Sequence, residues 1–196
     1  MKYGNFPIAF SILVMAAAAP SPANSLISPG RTTGIADSRL SASPDREWNH
    51  LSRNDGKNVE LWTLDGDALN KVTFFGGIAS GKPLLREVDK KHQPLPKVSR
   101  TMLMTDIPAL LESTYRSQQA VNQMSIDSQE PATLAGHKAI RFTYSLVGPD
   151  EVRRNGEAIG ALVEGKLYLV TYEAPALHFF DKDIEKYRTL AATLAL

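Results

Sequence analysis

The chain has 196 residues, with 22 Lys+Arg against 21 Asp+Glu, 43% apolar residues and no cysteine. That length and apolar content suit one folded domain with a packed core. The near-neutral charge excludes the basic surplus of a general nucleic-acid binder. The absent cysteines exclude disulfides, thiolate metal sites, iron–sulfur ligation and cysteine nucleophiles.

Residues 1–5 carry Lys2 and the terminal amine with no acid, and an apolar run follows over 6–19, interrupted by Pro7 and Ser11. Small residues then lead to Ser21-Pro22-Ala23. This three-part pattern predicts a secretory signal peptide over residues 1–23, cleaved near Ala23, and a periplasmic or secreted mature chain; the alternative reading is an uncleaved N-terminal anchor. The run falls short of the roughly 20 residues of a spanning helix, and no later segment approaches that length. The mature chain is therefore expected to have no membrane span. Cleavage removes Lys2 and no acid, so the mature net charge is zero. Export permits disulfides, yet none can form, and the core has to hold the domain unaided.

Residues 24–46 lack either period and predict a flexible leader. A single α+β domain is expected over 47–196. Its first part reads as strands over 48–53, 59–64 and 71–75, ended by Asn54-Asp55-Gly56, Asp65-Gly66 and Gly76-Gly77. A short strand is expected over 84–88, and a charged loop with Pro94 and Pro96 over 89–100. Ile107, Leu110, Leu111, Thr114 and Val121 share one face of a 3.6-residue period, which predicts a helix over 106–123. Thr105 or Asp106 is placed to cap it, with Pro108 in the first turn.

A second strand block follows, weakly over 125–130 and clearly over 138–147. There Ile140, Phe142, Tyr144 and Leu146 share a dry face, and Arg141, Thr143 and Ser145 a wetter one. Asn155-Gly156 predicts a hairpin between strands over 151–154 and 157–163. Glu164-Gly165 then leads into a strand over 166–172. A helix over 181–194 carries Ile184, Tyr187, Ala191 and Leu194 on one stripe. Tight turns make the sheet antiparallel, and two helices need an apolar partner. The expected fold class is therefore α+β, a central twisted antiparallel sheet with helices packed on it.

Two stretches carry a family likeness. One is Gly136-His137-Lys138-Ala139-Ile140-Arg141-Phe142-Thr143-Tyr144. The other is Gly165-Lys166-Leu167-Tyr168-Leu169-Val170-Thr171-Tyr172-Glu173-Ala174-Pro175, followed by the terminal helix. Together they resemble the PsbP-like superfamily of exported or lumenal α/β/α proteins. The likeness covers residues 100–196, and the first half follows it only in element order. It implies an α/β/α sandwich with a non-enzymatic accessory or binding role. It brings no cofactor and no catalytic residues. No residue here supports transfer of the photosynthetic role of the best-known members.

Other motifs carry less. Gly76-x-x-x-x-Gly81-Lys82 copies most of a phosphate-binding loop, but Pro83 stands where the magnesium-binding Ser or Thr belongs. No two of His50, His92, His137 and His178 have local metal-site spacing, and no metal is expected. Asp181 and Asp183 after His178 read as helix caps. No Gly-x-Ser-x-Gly or Ser-x-x-Lys motif occurs. Arg153-Arg154 beside Asn155-Gly156 form a basic hairpin tip, either solvated or facing an acidic partner or lipid head group. Phe75, Tyr168 and Tyr172 are either core or part of a ligand groove on the less buried face. The candidate ligand- or partner-binding residues are thus Phe75, Arg153, Arg154, Tyr168 and Tyr172. The sequence predicts an exported non-enzymatic binding or accessory protein, holding a partner protein or small amphipathic ligand through a sheet face or groove. The alternatives are a periplasmic hydrolase with a spatially assembled site and a self-associating envelope structural protein.

Overall fold

The computed structural model describes Met1 and residues 24–53, 55–118, 121 and 123–196. The predicted export segment, Met1 apart, lies outside the described residues. So do Asn54 of the first predicted turn and residues 119, 120 and 122 near the end of the first predicted helix.

The strands are β1 (Ser25–Ile27), β2 (Thr32–Ile35), β3 (Leu40–Ala42), β4 (Trp48–Leu51), β5 (Val59–Thr63) and β6 (Lys71–Ala79). After a 3-10 turn at Met104–Asp106 come α1 (Ile107–Gln118), β7 (Gln123–Leu134), β8 (His137–Val147), β9 (Arg153–Val163), β10 (Lys166–Pro175) and α2 (Phe179–Ala192). Eight strands form one sheet in the order β1-β4-β5-β6-β10-β9-β8-β7, and β2 and β3 form a separate hairpin. Every pairing is antiparallel.

The two helices cover opposite faces, because successive strand residues point opposite ways. On one side Ile107, Leu111 and Tyr115 of α1 pack on Phe75, Phe142 and Leu169, joined by Leu84, Leu85, Leu95 and Val98 of the long loop. On the other, Ile184, Tyr187 and Leu190 of α2 pack on Trp62, Phe74, Val170 and Tyr172. Central β10 is buried on both faces, so its apolar run is nearly continuous. β8 lies nearer the edge and keeps the predicted alternation, with Ile140, Phe142, Tyr144 and Leu146 buried and Arg141 exposed.

Four expectations are corrected. Residues 24–46 are no flexible leader: they hold β1, β2 and β3, and Ile35, Leu40 and Ala42 join the α2-side core. Two backbone hydrogen bonds of 2.9 Å tie Ser41 to Ala195, clamping the hairpin on the chain's end. The apolar residues here are few and interrupted by a turn at Ala36 and Asp37, which hides their period. No strand forms over 84–88, where Leu84 and Leu85 instead anchor a loop. The first helix is described over Ile107–Gln118 and does not reach 123: Val121 is not helical, and β7 starts at Gln123 and runs for 12 residues. Asn155-Gly156 is no turn: it lies within β9, and the chain reverses over residues 148–152, with Glu151 at φ 59°. The Glu164-Gly165 turn forms as expected, with both residues at positive φ.

Candidate functional site

The five sequence-predicted residues do not converge. Phe75 is 0% exposed and belongs to the α1-side core. Tyr168 and Tyr172 are buried on the opposite face. The Tyr172 ring stacks on Tyr187 at 5.4 Å, and its hydroxyl donates to the Phe179 carbonyl at 3.1 Å. No less-buried aromatic face exists at these three positions, because a helix covers each side. Arg153 and Arg154 open β9, opposite Val147 and Leu146, instead of forming a hairpin tip. Arg153 is solvated, whereas Arg154 grips Asp150 through two hydrogen bonds of 2.9 and 2.5 Å.

The phosphate-loop look-alike has a packing explanation. Gly76 and Gly77 together face Tyr168 in the β6–β10 ladder, a bulge with Gly77 at φ 68°. A Cβ at Gly76 would lie 2.5 Å from Ser38 Oγ and 2.7 Å from the Ala36 carbonyl oxygen. The glycine is there so that the β2–β3 turn can rest on the sheet. Among the acids after His178, Asp183 is fully buried, accepting from Lys186 Nζ at 2.5 Å and Asn70 Nδ2 at 2.9 Å. Among the described residues, no group of three His, Cys, Asp or Glu is arranged to hold a metal ion.

A different constellation lies at one end of the sheet. Tyr144 on β8, Gly156 on β9, Glu173 on β10 and Lys71 on β6 are direct cross-strand neighbours. Thr171 and Glu173 follow Leu167 and Leu169 at two-residue steps, so all four share the α1 side of β10. Gly156 offers no side chain, and the Tyr144 ring lies over it: a Cβ there would be 2.1 Å from Tyr144 Cζ. Tyr115 of α1 meets Tyr144 edge-on at 6.4 Å. The hydroxyls of Tyr115, Tyr144 and Thr171 are neighbours beneath α1.

This polar row is incompletely satisfied. Glu173 is 5% exposed and pairs with Lys71 Nζ at 3.3 Å. Its Oε2 has no hydrogen-bond partner among the described residues. Such an orphaned buried group costs about 1–3 kcal/mol. Glu173 also lines a cleft of about 310 Å³ together with Arg53, Asp67, Ala68, Lys71, Leu146, Pro149, Asp150 and Arg154. The cleft is thus lined by a carboxylate, a cationic donor beside it and the apolar residues Ala68, Leu146 and Pro149.

The charges around it are fixed. Hydrogen bonding to Arg154 holds the Asp150 carboxyl well below the usual range, and the same bond raises Arg154, with Glu173 adding to the effect. Burial, and then the Glu173 charge, push Tyr115 upward. Burial, followed by Tyr115 and Glu173, does the same to Tyr144. Both phenols therefore stay neutral donors. A larger cleft of about 680 Å³ lies at the other end of β6, lined by Lys57, Lys82, Arg86 and residues Gly77, Ile78 and Ala79. Lys57, Lys82 and Arg86 there are exposed, whereas the smaller cleft is lined by the buried Glu173, so it is the stronger small-molecule candidate.

Of the predicted residues only Arg154 reaches this site. Glu173, Lys71, Thr171, Tyr144 and Gly156 were missed. The available signal was an acid closing the apolar run from Leu167, a charge placed where a core residue is expected.

The architecture is the α/β/α sandwich of PsbP-type domains. The chain is similar to cyanobacterial PsbP (CyanoP) from Synechocystis sp. PCC 6803, with a TM-score of 0.53 and 15% identity over 93% of this chain and 98% of that one. It is similar more loosely to the Ran-binding protein Mog1p of Saccharomyces cerevisiae, with a TM-score of 0.45 and 7% identity over 89% of this chain and 95% of that one. LpqN of Mycobacterium tuberculosis, involved in cell envelope biogenesis, gives 0.35 and 9% over 88% and 90%. No protein-family model and no curated protein matches the chain. The PsbP-like likeness seen in the C-terminal half therefore holds as a fold, across nearly the whole chain.

Proposed function

We propose that the chain is an exported, non-enzymatic binding or accessory protein that holds a small amphipathic ligand in the Glu173 cleft. The observation that carries this reading is Glu173, a buried carboxylate paired with Lys71 that lines an open cleft. A ligand hydroxyl or amide N–H would donate to this carboxylate where it lines the cleft. Lys71 Nζ supplies a donor beside it, and the ligand's apolar part would rest on Ala68, Leu146 and Pro149. Export rests on the signal-peptide pattern of residues 1–23, and the non-enzymatic role on the PsbP-like resemblance.

Two measurements test this. N-terminal sequencing of protein from the envelope fraction is expected to begin near Asn24, and an intact Met1 in the cytosol would refute export. Native mass spectrometry of the same protein is expected to show a bound small molecule that Glu173→Gln loses while keeping its circular dichroism. A bare wild-type protein, or an adduct retained by Glu173→Gln, refutes the ligand site.

A further inference from the structure

The long loop between β6 and α1 carries a charge arrangement that the fold does not need. Residues 82–100 hold six basic residues, Lys82, Arg86, Lys90, Lys91, Lys97 and Arg100, and two acidic ones, Glu87 and Asp89. The rest of the chain offsets this excess, so the basic charge is concentrated on this loop. All six basic side chains are exposed. None of them is within ion-pair distance of a described carboxylate, although Arg39, Arg46, Arg53, Lys71, Arg116, Arg141, Arg154, Lys182, Lys186 and Arg188 all are.

The two acids are occupied within the loop. Glu87 Oε1 accepts from the Leu95 amide at 3.2 Å, and Asp89 accepts from the His92 amide at 3.0 Å and pairs with its ring. The loop is also held in shape. Val98 donates to the Lys82 carbonyl at 2.9 Å, Gly81 to that of Val98 at 2.8 Å and Arg86 to that of Asp55 at 2.7 Å. Leu84, Leu85, Leu95 and Val98 are buried beneath it. Between these anchors Val88 projects with 86% of its surface exposed, flanked by Arg86, Lys90 and Lys91. Leu103, just past Arg100, is exposed too.

We propose that residues 82–103 form a docking surface for an anionic phospholipid bilayer, with the cations on the lipid phosphates and Val88 entering the headgroup layer. Exposed aliphatic groups set among unpaired cations are the composition that sits at such an interface. A protein partner would instead be expected to seat aromatic anchors in pockets, and residues 82–103 contain no Phe, Tyr or Trp. The loop is separate from the Glu173 cleft, and the proposal does not depend on a ligand there.

Vesicle co-sedimentation of the full chain tests it. The probes are vesicles of phosphatidylglycerol mixed with phosphatidylcholine, and of phosphatidylcholine alone, at low and high salt. Any affinity contributed by the apolar residues 6–19 is common to wild type and variants. The wild type is expected to prefer the anionic vesicles, and to lose the preference in high salt. Lys90→Glu/Lys91→Glu should weaken anionic binding about tenfold or more. Val88→Asp should weaken it without moving the melting temperature. Equal binding to both vesicles, or variants that bind like the wild type, overturns the proposal. So does a wild type that ignores vesicles while an acidic protein copurifies with it and is lost in the double variant.

Discussion

The ring of Tyr144 occupies the space that a side chain on Gly156 would need, with its Cζ 2.1 Å from where that Cβ would lie. The two residues face each other across β8 and β9. The contact explains why an Asn-Gly pair sits inside a strand: the glycine serves a cross-strand ring and makes no turn.

Gly156→Ala is accordingly expected to destabilise the protein by about 1–3 kcal/mol or more, as overpacking does. Tyr144 cannot tilt away easily, because Tyr115 and Phe142 bound it at 6.4 and 6.2 Å. Adding Tyr144→Ala should make the double variant more stable than the sum of the single losses predicts. Urea melts of the four proteins measure the coupling. Strict additivity would show that the ring and the glycine do not compete for space.

Glu173 and Lys71 form a pair whose side chains are 6% and 13% exposed. Lys71→Met leaves a carboxylate buried without its counter-charge, and a loss of about 3–5 kcal/mol is expected. Lys71→Met with Glu173→Leu removes both charges and should recover most of that loss. Thermal melts of single and double variants decide this. A double variant as unstable as Lys71→Met would mean that shape, and not charge, is what the site requires.

The sequence revealed elements where one residue pattern reports one environment. β8 alternates because one face is covered and the other is wet, so Ile140, Phe142, Tyr144 and Leu146 were legible as core. The α2 stripe of Ile184 and Tyr187 was legible for the same reason. Where two environments overlap, the pattern misleads. Tyr168 and Tyr172 looked available for a ligand because β10 alternates aromatic with aliphatic, yet both of its faces are buried. Gly156 looked like a turn because glycine's local preference is visible in sequence and a ring from another strand is not. The site was the least legible part. Glu173, Lys71 and Tyr144 meet only through strand pairings between residues as much as 102 positions apart.

A second polar network, whose Lys182–Asp65 ion pair is partly exposed, makes stability depend on pH. Lys182 Nζ meets Asp65 at 2.6 Å, and Asn70 links Asp65 to Asp183, joining α2 to the β5–β6 turn. Hydrogen bonding to Lys182 lowers Asp65 below its reference of 3.8, and the same contact raises Lys182 above 10.5. A lowered carboxyl stabilises the fold fully above its unfolded value, and that contribution is lost as pH falls through the folded value. The raised ammonium contributes fully below 10.5, and its share is lost as pH rises through the folded value. Asp65→Asn should therefore be less stable than wild type at neutral pH and equally stable in strong acid. Denaturant melts at both pH values check the sign. A gap that persists in acid would assign the loss to Asn70's hydrogen bonds instead of to the charge.

The hairpin over residues 32–42 should behave as core and not as leader. Leu40 is fully buried and packs in the cluster that holds Trp62, Phe74 and Tyr187. Leu40→Ala is expected to cost about 2–5 kcal/mol, in the range of large-to-small core substitutions. Arg31→Ala, at an exposed position before β2, should cost almost nothing. Limited proteolysis gives an independent reading. Protease should leave residues 30–46 intact in the native protein, because the Ser41–Ala195 hydrogen bonds and the seat of the turn on Gly76 hold the hairpin down. Rapid trimming to residue 47, with the remaining domain still melting at the wild-type temperature, would show the hairpin to be dispensable. The physical expectation is the opposite: opening it would expose Trp62 and Phe74, and the domain should unfold as one unit.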